Sequence, residues 1–231
     1  MRLVWLGRAG YQSVLALQTE LRAQVLSGGE ETILFVEHSP VVTLGHRATP
    51  ADLLVPIAQL EAQGIEVVRV SRGGQATYHG PGQLVVYPVV RLRGGVVGHV
   101  EWLTSAAVTV AEPLGVSAQY RAEPVGVWVG DRKLGAVGVH VEHQVAIHGL
   151  SLNVTAASTE VFRRQLFVPC GARGTQVTSL SEEGADSTLT TEAVARRFAA
   201  ALLARPAQPA VPVEHCTVES LLHGMAPGLA W

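Results

Sequence analysis

Apolar residues in the first third of the chain recur with helical spacing in some segments and with strand-like density in others. Apolar positions at helical spacing extend from Gly10 to Leu26, and Ser27-Gly28-Gly29 is typical of a helix end. The predicted elements here are a strand over 1–8, a helix over 10–26, strands over 32–37 and 41–45, a helix over 57–63 and a strand over 65–70. Pro40 separates the two middle strands, and Gly64 closes the second helix.

The middle of the chain begins with a segment dense in glycine and polar residues, 71–83, which predicts a loop. After it the pattern predicts a strand over 84–90, a helix over 99–112, strands over 127–129, 133–141 and 145–154, a helix over 159–166, a loop over 168–171 and a helix over 190–203. Gly130-Asp131 and Glu142-His143-Gln144 join the three later strands, which indicates antiparallel hairpins. Thr190 is the predicted N-cap of the last helix.

The order of these elements predicts the fold class. Strands and helices are interspersed without strict βαβ alternation, and no repeat or linker divides the chain. We therefore expect an α+β fold, a single domain over residues 1–205 with a mixed β-sheet flanked by helices. Residues 206–231 are rich in Pro and Ala and are predicted to form an extension, either docked on the domain or frayed.

Composition narrows the class of protein. The chain has 231 residues, of which 48% are hydrophobic and 16% charged, and this balance is typical of a globular domain with a large core. A net charge of −2 without a basic tract argues against nucleic acid as a partner. No apolar run approaches 18 residues, so no membrane span is expected. Two cysteines, Cys170 and Cys216, are too few for a disulfide framework, which favours a cytoplasmic location.

The use of basic residues is uneven. Seventeen residues are basic, and Lys133 is the only lysine among them. Arginine keeps its proton near neutral pH, whereas a lysine in apolar surroundings can release it. The pattern suggests that Lys133 must be able to lose its proton, although a surface lysine left over from an arginine-biased composition would give the same count.

Three further features could carry chemistry, and each also has a purely structural interpretation. The glycine-rich segment Arg72 to Gln83 lets a backbone approach a ligand, but it matches neither a dinucleotide fingerprint nor a phosphate loop and could be a tight surface turn. Cys170 lies in a Pro-Cys-Gly turn, where a thiol is either packed or presented for reaction, while Cys216 has no supporting pattern. The histidines His140, His143 and His148 lack an acidic or thiol partner that would complete a zinc site, so no metal is expected. A pairing of Cys170 with His79 or His148 stays open.

Four segments together resemble the lipoyl(octanoyl) transferase family. They are R-G-G-Q-A-T-Y-H-G-P-G-Q at 72–83, K-L-G-A-V-G at 133–138, I-H-G-L-S-L-N-V at 147–154 and V-P-C-G at 168–171. The segments follow the family's order and spacing, and the likeness extends from about residue 37 to about residue 180. Four linked segments are far more specific than any one of them.

The resemblance implies a fold, an activity and site residues. The fold would be related to the catalytic domains of biotin and lipoate protein ligases. The activity would be the first step of lipoate assembly on proteins, the transfer of an octanoyl or lipoyl group from acyl carrier protein to a lysine of a lipoyl domain, without a cofactor. The acceptors would be the lipoyl domains of 2-oxoacid dehydrogenases and the glycine cleavage H protein. By position, Cys170 matches the acyl-thioester nucleophile and Lys133 the residue that activates it. The implied substrate contacts are Arg72, Gly73, Gly74, Gln75, Ala76, Thr77, Tyr78, His79, Ala136, Val137, Gly138, Gly149, Leu150 and Ser151.

The chemistry and its alternatives lead to further expectations. Backbone N–H groups at Gly73-Gly74 or around Gly171 are candidate donors to the tetrahedral oxyanions. The acyl chain needs an apolar tunnel, expected near residues 136–139 and Leu150. Three alternatives remain: an ATP-dependent lipoate or biotin ligase, a non-catalytic binding protein and a Cys–His hydrolase.

Overall fold

The structure is a computed structural model and describes residues 1–168, 174–203 and 213–225, the side chain of Met225 excepted. In chain order its strands are β1 (Arg2–Ala9), β2 (Thr32–His38), β3 (Val41–Leu44), β4 (Glu66–Arg69), β5 (Ala76–His79), β6 (Gln83–Arg91), β7 (Gln119–Ala122), β8 (Val125–Val129), β9 (Arg132–Glu142), β10 (Val145–Asn153), β11 (Gln176–Val177) and β12 (Glu214–His215). Its helices are α1 (Tyr11–Leu26), α2 (Ile57–Glu61), α3 (Gly95–Ala111), α4 (Glu160–Arg163), α5 (Thr191–Leu202) and α6 (Val218–Met225). Short 3-10 turns lie at Pro50–Asp52, Glu112–Leu114 and Ala156–Ser158.

Two sheets organise these strands. The large sheet has the order β12-β1-β2-β6-β10-β9-β8-β7, and β11 pairs with β9 beside this path. Strand β1 is parallel to both of its neighbours, whereas the pairs from β2 to β7 are antiparallel. The small sheet has the order β4-β3-β5, again with one parallel and one antiparallel pair. The predicted α+β fold with a mixed sheet and flanking helices is confirmed.

Helices cover both faces of the large sheet. Along β1, Leu3 and Trp5 pack with α3 and α5 on one face, while Val4 and Leu6 pack with α1 and α6 on the other. Because successive side chains of a strand point to opposite faces, a strand covered on both faces must be apolar throughout. A third apolar cluster lies under the small sheet. No helix in the described part of the chain is long and apolar enough to span a membrane.

Several elements differ from the predicted ones: strands β7, β11 and β12 were not predicted, and helix α4 is shorter than the predicted helix over 159–166. Two further differences lie in the glycine-rich segment and at the start of the third helix. The predicted loop 71–83 contains strand β5, whose four residues are too few for an alternating pattern to be visible. Helix α3 begins at Gly95, four residues before the predicted start, after Gly94 in the left-handed region at φ 95°. Its first turn exposes Val96 and Val97, the latter by 68%, so apolar periodicity could not reveal it.

The described part of the C-terminal extension is docked on the domain. In β12, Glu214 is paired with Val4 of β1, and its carboxylate accepts from Arg2 Nη2 at 2.8 Å. The amide of Cys216 donates to Trp5 O at 3.2 Å. Helix α6 packs on α1 through apolar side chains that include Val218. These contacts join residues 213–225 to the same cores as the rest of the domain.

Candidate active site

A cleft of about 430 Å³ opens between the small sheet and the large one. The residues that line it are Tyr11, Arg47, Arg72, Gly73, Gly74, Gln75, Ala76, Thr77, His79, Val85, Tyr87, Ala122, Glu123, Pro124, Val125, Lys133, Ala136, Val137, Gly138, His148, Gly149, Leu150 and Ser151. A volume of several hundred cubic ångströms is typical of small-molecule sites. The cleft therefore collects residues from distant parts of the sequence into one binding-sized space.

The structure brings together every described residue that the sequence suggested for the site except one. Tyr78 lies on the opposite side of β5, where its ring packs edge-on against Phe162 with the centroids 6.0 Å apart. Thr77 and His79, its neighbours in β5, line the cleft, as the alternation of a strand requires. Cys170 and Gly171 lie outside the described residues.

Strand pairing brings two of the sequence segments face to face. In the β9–β10 hairpin, Gly138 pairs with Gly149, and Ala136 pairs with Ser151. At Gly149 an added Cβ would lie 2.1 Å from the carbonyl oxygen of Val86, closer than real Cβ contacts, so the pairing of β10 with β6 requires glycine there. The wall of the cleft is thus mostly backbone at these positions.

Arg72 holds the glycine-rich segment in place. Its side chain is 7% exposed, and its guanidinium donates to Thr43 O at 2.7 Å, to Gln75 O at 2.8 Å and to Gly73 O at 3.0 Å. The amide of Gly73 donates to Val139 O at 3.0 Å, which ties the segment to β9. Because this amide already donates to Val139 O, the prediction that the N–H of Gly73 binds an oxyanion is wrong.

Lys133 forms part of the cleft wall on β9, and its side chain is buried with 6% exposed. Its Nζ donates to the carbonyl oxygen of Val125 at 3.1 Å and lies 5.2 Å from the centroid of the Trp128 ring. On the other side of β9, Val177 is paired with Lys133 in the short parallel strand β11. The surface interpretation of this lysine is therefore excluded, because only 6% of the residue is exposed.

The floor of the cleft holds a cluster of aromatic and imidazole rings that the sequence did not reveal as a unit. Tyr11, Tyr87 and His148 line the cleft, and His38 packs against the two tyrosine rings. Tyr11 comes from α1, His38 from β2, Tyr87 from β6 and His148 from β10. His38 Nε2 lies 2.9 Å from Tyr87 Oη, and its Nδ1 lies 3.1 Å from the carbonyl oxygen of Ala9. Since a carbonyl only accepts, Nδ1 carries the proton of the neutral ring and Nε2 accepts from the tyrosine. Longer contacts of 3.5 Å join His148 Nδ1 to Tyr11 Oη and His148 Nε2 to Ser71 Oγ.

Burial keeps this floor uncharged near neutral pH. It lowers the pKa of His38 to about 4, and burial together with the charge of Arg72 lowers the pKa of His148 to about 3. Burial also raises the pKa of Tyr11 to about 12 and the pKa of Tyr87 well above its usual value. A charged form of any of these groups would lose its hydration in the closed interior.

A second buried chain of hydrogen bonds extends from His79. Its Nδ1 lies 2.7 Å from Gln83 Oε1, Gln83 Nε2 donates to Asn153 Oδ1 at 2.9 Å, and Asn153 Nδ2 donates to Thr178 O at 2.9 Å. Burial lowers the pKa of His79 well below its usual value, so the ring is neutral and donates through Nδ1. The chain fixes β5 against β6, β10 and the segment before α5.

The cleft brings groups of different chemistry together. It combines a buried amine, backbone-lined walls and apolar side chains such as Val85, Val137 and Leu150. Within the part of the chain that the structure describes, no group of three or more His, Cys, Asp or Glu side chains could hold a metal ion. The histidines His140, His143 and His148 thus do not form such a group.

Comparisons with known proteins agree with this arrangement. The family described as "Lipoyl protein ligase A/B catalytic domain" matches residues 10–203. The chain is 39% identical to an octanoyltransferase of Acidobacterium capsulatum over 220 residues, covering 86% of this chain and 88% of that protein. It is 44% identical to an octanoyltransferase of Magnetococcus marinus over 158 residues, covering 67% and 70%.

A solved structure shows the same fold at low identity. It is that of a bipartite lipoate protein ligase and its E2 lipoyl domain from Thermoplasma acidophilum. The TM-score is 0.69 at 17% identity, covering 97% of this chain and 91% of that chain. The chain therefore belongs to the lipoyl protein ligase A/B catalytic domain family, and it is an acyltransferase.

Proposed function

We propose that this enzyme transfers an octanoyl or lipoyl group from acyl carrier protein to a lysine of a lipoyl domain, through a thioester on Cys170. The observation that carries the proposal is the cleft in which the glycine-rich segment, β9 and β10 meet around the buried Lys133. The octanoyltransferases to which the chain is similar support the acyl group, and the ligase structure with its E2 lipoyl domain supports the acceptor. Suitable acceptors are the lipoyl domains of 2-oxoacid dehydrogenases and the glycine cleavage H protein, in the cytoplasm.

The first half-reaction exchanges one thioester for another. The sulfur of Cys170 attacks the carbonyl carbon of the octanoyl thioester, the bond from that carbon to the carrier's sulfur breaks, and the carrier leaves as a thiol. Lys133 takes the proton of the cysteine thiol and returns it to the leaving sulfur. Because a thioester is exchanged for a thioester, the acyl group stays activated and no ATP is needed.

The second half-reaction forms an amide. The amine of the acceptor lysine attacks the acyl-cysteine carbon, the bond from that carbon to Cys170 breaks, and the proton of the attacking amine passes through Lys133 to the departing sulfur. Arginine at position 133 could supply the charge but not accept this proton. Lys133, the only lysine in the sequence, is thus assigned to proton transfer.

The position of Cys170 in the sequence is compatible with this scheme. Cys170 itself lies outside the described residues, but the chain on both sides of it is anchored. Before it, the amide of Val168 donates to Asp52 O at 2.8 Å. After it, Val177 lies seven positions beyond Cys170 in the sequence, and it is paired with Lys133. These anchors support an approach of the thiol to the amine.

The decisive experiment observes the acyl-enzyme directly. The protein is mixed with octanoyl-acyl carrier protein, without ATP or Mg²⁺, and analysed by intact-protein mass spectrometry. We expect one octanoyl adduct that Cys170→Ala abolishes. Cys216→Ala is the matched control, because it removes the only other cysteine and should leave the adduct unchanged. An adduct that survives Cys170→Ala would contradict the scheme.

Lys133→Arg tests the proton transfer. We expect an unchanged circular dichroism spectrum and a loss of most turnover, because arginine keeps its proton. Near-normal turnover would remove Lys133 from the mechanism. The rival activities give other results: an ATP-dependent ligase would require ATP, a binding protein would form no adduct, and a hydrolase would release free octanoate without an acceptor.

A further inference from the structure

The turn between β7 and β8 contacts the amine of Lys133. The reaction scheme above gives this turn no role. Residues 122–125 form an exposed rim of the cleft. From this rim the carbonyl oxygen of Val125 accepts from Lys133 Nζ at 3.1 Å. The preceding carbonyl, Pro124 O, accepts from the indole Nε1 of Trp128 at 3.1 Å. The indole therefore fixes the turn one residue before the carbonyl that binds the amine.

The same indole contacts the amine with its ring. Trp128 is 5% exposed, and it is paired with Lys133 across β8 and β9. The Nζ-to-centroid distance of 5.2 Å is within the roughly 6 Å over which a cation is attracted to an aromatic face. Arg121 also approaches this ring, with Cζ at 5.2 Å from the centroid, while its guanidinium binds the carboxylate of Asp131.

The backbone beside Trp128 leaves room for the lysine stem. Gly126 has φ 154°, and a Cβ added there would lie 2.8 Å from Lys133 Cε and 3.3 Å from Trp128 Nε1. A side chain at position 126 would push either the lysine or the indole away. The turn, the glycine and the indole thus all favour one position of the amine.

We propose that Trp128 is a positioning residue for Lys133, and this inference depends on the role of Lys133 proposed above. The indole N–H orients the turn so that Val125 O faces the amine, and the face of the ring lies beside the same amine at the cleft wall. A lysine side chain has four rotatable bonds, so the loss of these contacts would leave the position of the amine less restrained. Trp128 acts on the reaction only through Lys133.

Trp128→Leu and Trp128→Phe test the two contacts separately. Leucine removes both the N–H and the ring, and kcat should fall by roughly tenfold, which corresponds to about 1.4 kcal/mol. Phenylalanine keeps a ring but lacks the N–H, and kcat should fall by roughly threefold. The KM for octanoyl-acyl carrier protein should stay within about twofold in both, because the substrate itself is not touched.

Trp102→Leu is the matched control. Trp102 lies on α3, and its Nε1 donates to Leu202 O at 3.2 Å, so the variant also loses an indole N–H bond and apolar packing. It should lower the melting temperature and leave kcat unchanged. If Trp128→Leu does not fold, Trp128→Phe carries the test, and a normal kcat in that variant would overturn the proposal.

A double-mutant cycle shows whether Trp128 acts through Lys133. In a Cys216→Ala background, the rate at which iodoacetamide alkylates Cys170 is measured for Trp128→Leu, Lys133→Ala and the two combined. We expect both single variants to slow alkylation and the combination to be no slower than Lys133→Ala alone. Additive effects would overturn the positioning role. A normal rate and normal turnover in Lys133→Ala would instead refute the proposed function itself.

Discussion

The imidazole of His99 provides a sharp test of how burial controls stability. His99 lies on α3 with 4% of its surface exposed, and its Nε2 has no hydrogen-bond partner among the residues that the structure describes. Its ring contacts that of Trp102 at a centroid distance of 5.4 Å. Burial lowers the pKa of His99 from its ordinary 6.5 to about 4. The imidazole of His99 therefore stays neutral in the folded protein at pH values where the same imidazole is already protonated in the unfolded chain.

The sign and size of the effect follow from these two pKa values. Between pH 6.5 and about 4 the unfolded state binds a proton that the folded state does not, so the stability is lost as the pH falls through this window. pH 5 lies about 1.5 units below the pKa of the unfolded-state imidazole, so the free energy of unfolding is lowered there by about 2 kcal/mol. At pH 7.5 this loss is close to zero. His99→Leu removes the group from both states.

When the pH is lowered from 7.5 to 5, we expect the free energy of unfolding of His99→Leu to rise by about 2 kcal/mol relative to that of the unsubstituted protein. The comparison between the two pH values cancels any change in packing, because packing differs little with pH. The measurement is urea unfolding followed by far-ultraviolet circular dichroism at both values. Leu103→Ala is the control, since Leu103 is buried on the same helix and should cost the same stability at each pH. Equal pH dependence of His99→Leu and the unsubstituted protein would refute the reasoning.

Three other perturbations test the fold and the cleft. Gly149→Ala should cost about 3 kcal/mol, because the new Cβ would lie 2.1 Å from Val86 O; thermal unfolding measures the loss, and an unchanged melting temperature would contradict it. Thr190→Ala should cost about 1 kcal/mol in urea unfolding, because the Thr190 side chain accepts from Ala193 N at 3.2 Å, and Thr190→Ser should keep that bond. In competition assays, a hexanoyl donor should react about fifteenfold more slowly than an octanoyl donor, because two buried CH₂ groups contribute about 1.6 kcal/mol; equal rates would argue against an apolar acyl site.

The hairpins that carry the site could be predicted from local sequence. Strands predicted over 127–129, 133–141 and 145–154 correspond to β8, β9 and β10, and the turn residues His143 and Gln144 have positive φ values of 48° and 64°. Both signals, strand pattern and turn composition, are local. Once the hairpin is known, its register brings the residues after Lys133 opposite those around Gly149.

The floor of the cleft could not be predicted in the same way. Tyr11, His38, Tyr87 and His148 come from four elements, and they meet because β2, β6 and β10 are neighbours in the sheet. That order depends on long-range pairing, which no local pattern encodes. Tyr78 shows the same limit, since its direction follows from strand β5, which was predicted to be a loop.

The pairing of β12 with β1 has a practical consequence for shortening the protein. A chain cut at residue 205, where the sequence suggested a boundary, would leave the outer row of β1 amide and carbonyl groups open, and would uncover the α1 surface beneath Val218 and Leu221. Open strand edges recruit other strands, and bare apolar surface adds to the attraction. Such a truncated enzyme should keep its cleft residues yet self-associate, so terminal fusions are better placed beyond the last helix than before it.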